Sequence, residues 1–344
     1  MMFMFNPKYT ISQKLLSNIK QIATITSDLN HQKFPGIVLV DLEKSAREIS
    51  VYSSTSIEGN PLPLTEVKRI LKNLPQNARD SEKEVLNYNS ILIKLNKSIG
   101  SLKLTDKLVL DIQKGITKGL IDKFRCGSFR EEPVFVNNPK THKPIYLPPD
   151  HKDVKKLMNE LVDFVNKNEG KVDPLILAGL FHKQFVIIHP FVDGNGRTAR
   201  LATKLLLAKM GLNTFNLFSF ENYYNQNVSK YFQKVGVLGN YYEIKQEIDF
   251  TDWLEYFTDG VIDELLRVQK GLQKESVSPK TKLEQHHKKI LSCIEKNGYI
   301  TDSDYSKLTK RAKATRSLDF NKLIELDFIK REGKGKNTYY KMKK

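Results

Sequence analysis

The chain has 344 residues, a length typical of two or three domains. Apolar residues make up 40% of it and aromatic residues 10%, which is enough for a sizeable core and excludes a disordered chain. The formal net charge of +17 favours an anionic partner such as a nucleic acid or a nucleotide. The two cysteines exclude a disulfide framework and a four-cysteine zinc site, so we expect a reducing, cytoplasmic setting.

The sequence contains no segment typical of export or membrane insertion. The apolar start turns polar after five residues, whereas a secretory signal needs an apolar run of about 7–15 residues. The most apolar internal stretch, 174–192, is interrupted by histidine and lysine and is too short to span a bilayer. We therefore expect no membrane partner.

Apolar residues recur at helical spacing through most of the chain up to residue 272. This spacing predicts helices over 11–31, 64–74, 81–97, 106–119, 151–168, 174–188, 197–210 and 251–272. Within this part of the chain, strand-like sequence occurs at 134–136 and 144–147, and the turn residues at 137–139 between them predict a short β-hairpin. The fold class is therefore mainly α, with one hairpin.

The pattern changes after a polar linker at 273–281. From 280 to 344 there are 18 basic and 8 acidic residues, so most of the positive charge lies in this last segment. It predicts three helices followed by two basic strands, an order typical of a winged helix-turn-helix domain over 282–344. The basic residues at its third helix and turn are candidate contacts for DNA phosphates: Lys313, Arg316, Lys334 and Lys336.

The segment HPFVDGNGRTAR, which starts at His189, is the part of the chain best suited to chemistry. Pro190 disfavours helix at the residue before it, so His189 is expected at a helix end. Gly194 and Gly196 let the backbone approach a ligand just before the next helix. The free amides at a helix N-terminus form a site for anions.

The charged residues of the same segment indicate what the anion is. Arg197 and Arg200 are three residues apart, so both project from the first turn of the predicted helix. Asp193 supplies oxygen ligands of the kind that Mg²⁺ prefers. A base, a metal-binding carboxylate, free amides and two arginines together predict a polyphosphate site.

This segment resembles the motif of the Fic family, HPFx[D/E]GNGRxxR, and matches it at every defined position. The stretch 126–130 resembles the family's glycine/arginine segment, and 146–149 resembles its flap. Tyr231 and Phe232 lie where the family usually has a pair of tyrosines near the adenosine. The resemblance covers about 40–270 and implies a Fic-type helical bundle with a β-hairpin flap.

The resemblance implies transfer of AMP from ATP to a Tyr, Ser or Thr hydroxyl of a protein target, with release of pyrophosphate. It implies that His189 is the general base and that Asp193 binds the Mg²⁺ that accompanies ATP. Arg197 would bind the γ-phosphate. The implied ATP-binding residues are Glu58, Asp193, Gly194, Asn195, Gly196, Arg197, Thr198, Ala199, Arg200, Tyr231 and Phe232. The flap residues implied to pair with a strand of the target are Lys143, Pro144, Ile145 and Tyr146.

One position separates branches of the family. The Doc-like toxins, which phosphorylate their targets, resemble this motif but carry lysine where this chain has Gly196. Glycine here favours AMP transfer. Another nucleotide donor such as UTP, or a phosphocholine donor, stays open.

A second motif, Ser54 to Gly59, resembles the family's inhibitory motif [S/T]xxxE[G/N]. Ser54 and Glu58 share one face of a helix that Gly59 and Pro61 would end. The resemblance implies the class with an N-terminal inhibitory helix, in which Glu58 pairs with Arg197 and occupies the γ-phosphate site. It leaves open whether Glu58 also serves the reverse reaction, removal of AMP from the target.

We therefore expect an N-terminal helical region with the inhibitory motif (1–100), a Fic catalytic core (101–272), a linker (273–281) and a winged-helix domain (282–344). Two hypotheses of function follow. The first is an adenylyltransferase held inactive by Glu58. The second is a DNA-binding regulator whose Fic core senses a nucleotide. Related proteins often dimerise, so a homodimer is a further expectation.

Overall fold

The computed structural model describes residues 5–32, 34, 36–98, 103–137, 141, 143–212, 216–276 and 283–343. Their contacts divide them into two compact units, one drawn from 1–29 and 45–266 and the other from 30–44 and 267–344. Within the described ranges, no helix has both the length and the apolar character needed to cross a membrane.

The fold is mainly helical, as the sequence predicts. The helices before the hairpin are α1 (Gln13–His31), α2 (Gly36–Ile57), α3 (Leu64–Asn73), α4 (Asp80–Ser98) and α5 (Asp106–Ile116). Those after it are α6 (His151–Asn168), α7 (Pro174–Ile188), α8 (Asn195–Leu207), α9 (Glu221–Gln226), α10 (Val228–Val235), α11 (Tyr241–Ile244) and α12 (Thr251–Ser276). The short helices α9 to α11 were not predicted, because each is too short to show a helical period.

Helix α7 lies at the centre of the first unit and packs against α6 and α8. It is buried on nearly all sides, which explains its almost uniformly apolar sequence. Its start is defined locally, since the Asp173 side chain accepts a hydrogen bond from the Leu175 amide (2.8 Å) and Pro174 occupies the first turn. The C-terminus of α7 is capped by His189, a residue of the candidate site.

A small sheet lies beside this helical core. Its strand order is β1 (Val136–Asn137), β2 (Pro144–Leu147), β3 (Gly239–Asn240). β1 and β2 are antiparallel, as the predicted hairpin requires, whereas β3 adds to β2 in parallel and was not predicted. The turn residues 138 and 139 of the predicted hairpin lie outside the described residues.

The last part of the chain contains α13 (Gln285–Asn297), α14 (Asp302–Leu308) and α15 (Lys313–Glu325), followed by β4 (Ile329–Glu332) and β5 (Tyr339–Met342). The two strands are antiparallel. A core of apolar side chains that includes Ile290, Tyr305 and Phe320 joins the helices to the strands. The predicted linker is helical as far as Ser276, where α12 ends, and 277–281 lies outside the described residues.

Candidate functional site

His189 caps the C-terminus of α7 in a left-handed conformation, with φ of 50°. Its Nδ1 lies 3.3 Å from the carbonyl oxygen of Val186, so the ring carries its proton on Nδ1 and leaves Nε2 as an acceptor. Burial lowers the pKa of His189 to about 4, and the Arg130 guanidinium acts in the same direction. The imidazole is therefore neutral at physiological pH and able to accept a proton.

Arg130 fastens the loop that follows His189. Its Nε donates to the His189 carbonyl (2.9 Å), and its backbone amide donates to the Pro190 carbonyl (3.0 Å). Its Nη2 reaches the carbonyl of Pro149 at the end of the flap (2.5 Å). The sequence singled out 126–130 only by resemblance, whereas the structure shows that Arg130 ties the flap to the loop.

The loop turns into α8 at Gly194, which has φ of 84°. The Asn195 side chain accepts from the Phe191 amide (2.9 Å) and donates to the Phe191 carbonyl (2.8 Å). This side chain therefore closes the loop, and the predicted contact of Asn195 with a phosphate would come from its backbone amide. The first intrahelical bond runs from the Thr198 amide to the Gly194 carbonyl (2.9 Å), which leaves the three preceding amides free for an anion.

Gln113 on α5, which the sequence did not indicate, supports the same loop. Its side chain is fully buried, donates to the Asp193 carbonyl (3.2 Å) and accepts from the Gly127 amide (2.5 Å). The carboxylate of Asp193 stays 42% exposed. A partly exposed carboxylate held by its backbone is suited to bind a divalent cation that arrives with a nucleotide.

The two arginines of α8 have different partners. Arg197 places Nη1 2.6 Å from Glu84 on α4 and Nη2 2.8 Å from Asp193. Arg200 donates from Nε to Ser54 Oγ (2.8 Å) and from Nη2 to Glu58 Oε1 (2.7 Å). Both guanidinium groups are therefore buried in ion pairs.

The predicted pairing of Glu58 with Arg197 is therefore wrong: Glu58 pairs with Arg200. The motif spacing places both arginines near one face of α8, but only the packing of the neighbouring helices decides which one faces α2. Ser54 and Glu58 at the end of α2 reach Arg200, while Arg197 is occupied by Glu84 and Asp193.

Glu58 lies directly over the start of α8. A Cβ atom at Gly196 would be 2.1 Å from Glu58 Oε1, so only glycine permits this approach. Gly59, which follows Glu58, has φ of +93° and ends α2 as predicted. The Glu58 carboxylate therefore occupies the region where the helix N-terminus attracts an anion.

A cavity of about 460 Å³ opens between the flap and α10. The predicted site residues that line it are Glu58, His189, Gly196, Tyr231, Phe232, Ile145 and Tyr146. Thr198 and Ala199 are fully buried, so their side chains pack in the core and do not line this cavity. Helix α8 is buried along nearly its whole length, and the motif alone does not indicate which of its residues reach the cavity.

Tyr231 forms the floor of this cavity. Its hydroxyl lies 3.0 Å from His182 Nε2 and 3.5 Å from Arg200 Nη1. Burial raises the pKa of Tyr231 to about 12, so the group remains a neutral phenol. His182 is fully buried, and its other ring nitrogen is 3.0 Å from Thr203 Oγ1.

The flap residues differ in their exposure. Lys143 and Pro144 are exposed, and Ile145 is half-buried. Tyr146 is 4% exposed and donates its hydroxyl proton to the Ile187 carbonyl (2.9 Å), so its side chain anchors the flap. The pairing of β2 with β3 begins at Tyr146, so within the described residues the preceding part of β2 has no strand partner on that side.

The predicted DNA contacts are only partly available. Lys313 and Lys334 are exposed. Arg316 is held by both oxygens of Asp302, each at 2.8 Å, and its side chain is only 13% exposed. This ion pair removes Arg316 from the candidate phosphate contacts. The side chain of Lys336 lies outside the described residues.

Residues 103–207, which include the loop from His189 to Arg200, match the model of the Fic/DOC family. This part of the chain is therefore similar to a Fic/DOC domain. The matched region spans α5 to α8 and the β1–β2 hairpin, and so contains His189, the start of α8 and both buried arginines.

Similar proteins include curated adenylyltransferases. A protein named "Protein adenylyltransferase Fic" from Drosophila willistoni is 31% identical over 174 residues, which are 49% of this chain and 33% of that protein. One of the same name from Aedes aegypti is 27% identical over 227 residues, which are 60% of this chain and 43% of that protein. The chain thus spans less than half the length of these relatives.

Solved structures confirm the Fic fold. A Fic family protein from Desulfovibrio desulfuricans G20 superposes with a TM-score of 0.65 at 19% identity, covering 98% of both chains. Fic-1 from C. elegans superposes with a TM-score of 0.61 at 21% identity, covering 76% of this chain and 74% of its own. The mainly helical Fic fold predicted from the motif is therefore confirmed.

Proposed function

We propose that this chain is a protein adenylyltransferase that transfers AMP from ATP to a Tyr, Ser or Thr hydroxyl of a protein. The observation that carries the proposal is His189, a neutral base on a cavity of about 460 Å³ that also includes Gly196 at the start of α8. The names of the relatives from Drosophila willistoni and Aedes aegypti support AMP as the transferred group.

In this reaction, His189 accepts the proton of the target hydroxyl at Nε2 as the hydroxyl oxygen attacks the α-phosphorus of ATP. A new oxygen–phosphorus bond forms, the bond between the α-phosphorus and the bridging oxygen breaks, and pyrophosphate leaves. The free amides at the start of α8 and the guanidinium groups of Arg197 and Arg200 would stabilise the negative charge on the phosphates.

Asp193 would hold the Mg²⁺ that accompanies ATP. Its carboxylate is partly exposed, and carboxylate and phosphate oxygens are the ligands that this ion prefers. When bound, the ion neutralises part of the phosphate charge. Arg197 already pairs with both oxygens of Asp193, so the ion would have to share this carboxylate with the guanidinium or displace it.

Gly196 favours AMP transfer over phosphorylation. A side chain at this position would meet Glu58 Oε1 at 2.1 Å from Cβ, so the lysine of Doc-like toxins does not fit with Glu58 in place. Once Glu58 moves away, the glycine would leave the start of α8 open to a triphosphate whose α-phosphorus faces His189.

Two labelled forms of ATP test the reaction. We expect label from the α-phosphate, but not from the γ-phosphate, to become bound to protein, because AMP is transferred and pyrophosphate leaves. His189→Ala is expected to lower the rate by about 10²–10⁴-fold, the usual contribution of a general base. Transfer of the γ-label would contradict AMP transfer, and undiminished α-labelling by His189→Ala would contradict the role of His189.

Glu58 would hold the site inactive. Its carboxylate pairs with Arg200 and lies over the start of α8, where it excludes a phosphate of like charge. Activation then requires that Glu58 leave Arg200. Because Glu58 and His189 line the same cavity, the same residues could orient water to remove AMP from a modified target.

The flap would bind the target by strand addition. Lys143 and Pro144 are exposed, and this part of β2 precedes its first partner in β3. A target strand could therefore extend the sheet in line with β3 and bring its hydroxyl towards the cavity, which Ile145 lines.

DNA binding is a second candidate function, favoured by one face of α15. Lys313, Ser317 and Asn321 recur every four residues along this helix, and all three are exposed. Lysine is suited to a phosphate, and asparagine to the edge of an adenine in the major groove. Helix α15 would then be the recognition helix of a winged-helix domain, with Lys334 in the wing.

A further inference from the structure

A chain of polar contacts links the inhibitory segment to the carboxylate of Asp193. Arg197 is 5% exposed, with Nη1 2.6 Å from Glu84 Oε1 and Nη2 2.8 Å from each oxygen of Asp193. The buried Nε of Arg197 has no hydrogen-bond partner among the described residues. One carboxylate at each terminal nitrogen therefore holds this guanidinium.

Glu84 is itself held by the segment that follows α2. Asn60 donates from Nδ2 to Glu84 Oε2 (2.6 Å) and to the Ser81 carbonyl (2.9 Å). The Asn60 amide donates to the Thr55 carbonyl (3.1 Å), which ties Asn60 to the last turn of α2. Asn60 thus fixes one oxygen of Glu84 so that the other faces Arg197.

The segment that contains Glu58 and Asn60 therefore reaches both arginines of α8. Glu58 pairs directly with Arg200, and Asn60 contacts Glu84, which pairs with Arg197. Arg197 in turn covers the carboxylate that would bind the divalent cation.

We propose that Glu84 is a positioning residue that keeps Asp193 available to the divalent cation, and that Asn60 orients Glu84 for this role. The inference rests on the proposed function. Arg197 and a metal ion are both positive and compete for the same two oxygens of Asp193. With Glu84 in place, the guanidinium retains a partner when Asp193 turns to the ion.

Without Glu84, Asp193 would be the remaining carboxylate partner of Arg197 in the described structure. A buried guanidinium keeps its last anionic partner, because an unpaired buried charge is costly. Loss of Glu84 should therefore weaken the binding of the divalent cation at Asp193, although Glu84 itself does not touch it.

The test measures Mn²⁺ binding by electron paramagnetic resonance, with an ATP analogue whose α,β linkage cannot be cleaved. The full chain with Glu58→Gly serves as the parent, so that the inhibitory carboxylate does not exclude the analogue. We expect Glu84→Gln to raise the Mn²⁺ concentration at half-saturation by about tenfold or more, as for other residues that orient a metal ligand.

Glu82→Gln is the matched control. Glu82 lies on the same helix, its substitution removes the same charge, and it pairs with Arg79 (3.0 Å) and not with Arg197. We expect it to leave Mn²⁺ binding unchanged. Glu84→Asp keeps the charge on a shorter side chain. Its Mn²⁺ concentration at half-saturation should lie between those of the parent and Glu84→Gln.

The rate of AMP transfer separates positioning from loss of fold. The Glu84→Gln variant should transfer AMP slowly at low Mg²⁺ and approach the parental rate at saturating Mg²⁺, whereas an unfolded variant stays slow at both. Asn60→Ala should raise the Mn²⁺ half-saturation by less than Glu84→Gln. The double variant should match Glu84→Gln, because both substitutions act on one chain of contacts.

Equal Mn²⁺ half-saturation for the parent and Glu84→Gln would overturn the role of Glu84. The same conclusion would follow if Glu82→Gln raised the half-saturation as much as Glu84→Gln does. Additive effects of Asn60→Ala and Glu84→Gln would overturn the role of Asn60. If the parent binds Mn²⁺ with the analogue and Glu84→Gln binds it at the same half-saturation, the proposed function stands while this inference fails. If the parent shows no Mn²⁺ binding with the analogue, both fail.

Discussion

At the scale of single residues, the loop from His189 to Arg200 shows what a motif can and cannot predict. The motif indicates residue types, and the structure places His189 on the cavity with an unprotonated Nε2, as a general base requires. It does not indicate side-chain direction. Asn195 turns back to the loop and Thr198 turns into the core, because backbone geometry and packing decide these orientations.

The lowered pKa of His189 predicts that its ring stays neutral at mildly acidic pH. Burial lowers it to about 4, so the neutral form persists down to that pH and is lost as the pH falls through it. At pH 5, about nine-tenths of His189 should be unprotonated, against about 3% of an ordinary histidine. NMR titration of the histidine rings measures this, with His189→Gln identifying the resonance. A midpoint near 6.5 for that resonance would contradict the burial of the ring.

At the scale of secondary structure, the end of α2 is the element on which the proposed inhibition depends. Resemblance predicted that this helix carries an inhibitory glutamate, but the partner arginine was wrong. Ser54 and Glu58 both contact Arg200 because α2 approaches α8 along one line of side chains. Long-range helix packing of this kind has no signal in the spacing of either motif.

Removal of the Glu58 carboxylate should activate the chain. Glu58→Gly is expected to increase α-labelling of protein by about 10- to 100-fold, since a hydrogen bond to a charged group contributes about 1.5–3 kcal/mol. Glu66→Gly, on the exposed surface of α3, serves as the control and should leave labelling at the parental level. Labelling by Glu58→Gly no greater than that of the parent would refute inhibition through Arg200.

At the scale of the whole molecule, the positive charge is divided unevenly. Its larger share lies after residue 280, in a segment that forms three helices and an antiparallel pair of strands around their own core. Some of its basic side chains are held in ion pairs, since Arg316 pairs with Asp302 and Lys343 with Asp327. The exposed face of α15 therefore carries less free charge than the sequence suggests.

DNA binding should then depend on a small set of exposed residues. We expect duplex DNA to bind the full chain at low salt and its affinity to fall steeply as salt rises. Lys313→Ala should weaken binding and lower the salt slope by about 0.9, the contribution of one phosphate contact. Fluorescence polarisation measures both quantities. Lys296→Ala, an exposed lysine on α13, is the control.

Either of two results would contradict this second function. One is the absence of binding at low salt. The other is an equal loss of affinity for Lys313→Ala and Lys296→Ala, which would indicate non-specific attraction to the basic surface and no role for the face of α15.

The sequence alone determined the helical fold class, most helix positions and the helix end and turn of the His189 loop, because these depend on local periodicity, proline and glycine conformations and a contiguous motif. It did not determine the presence of strand β3, the pairing of Glu58 with Arg200, or the contact of Glu84 with Arg197. Each of these joins segments far apart in the chain. Only tertiary packing decides which side chains meet across helices, and in the proposed function these contacts control the access of ATP and of its cation to the site.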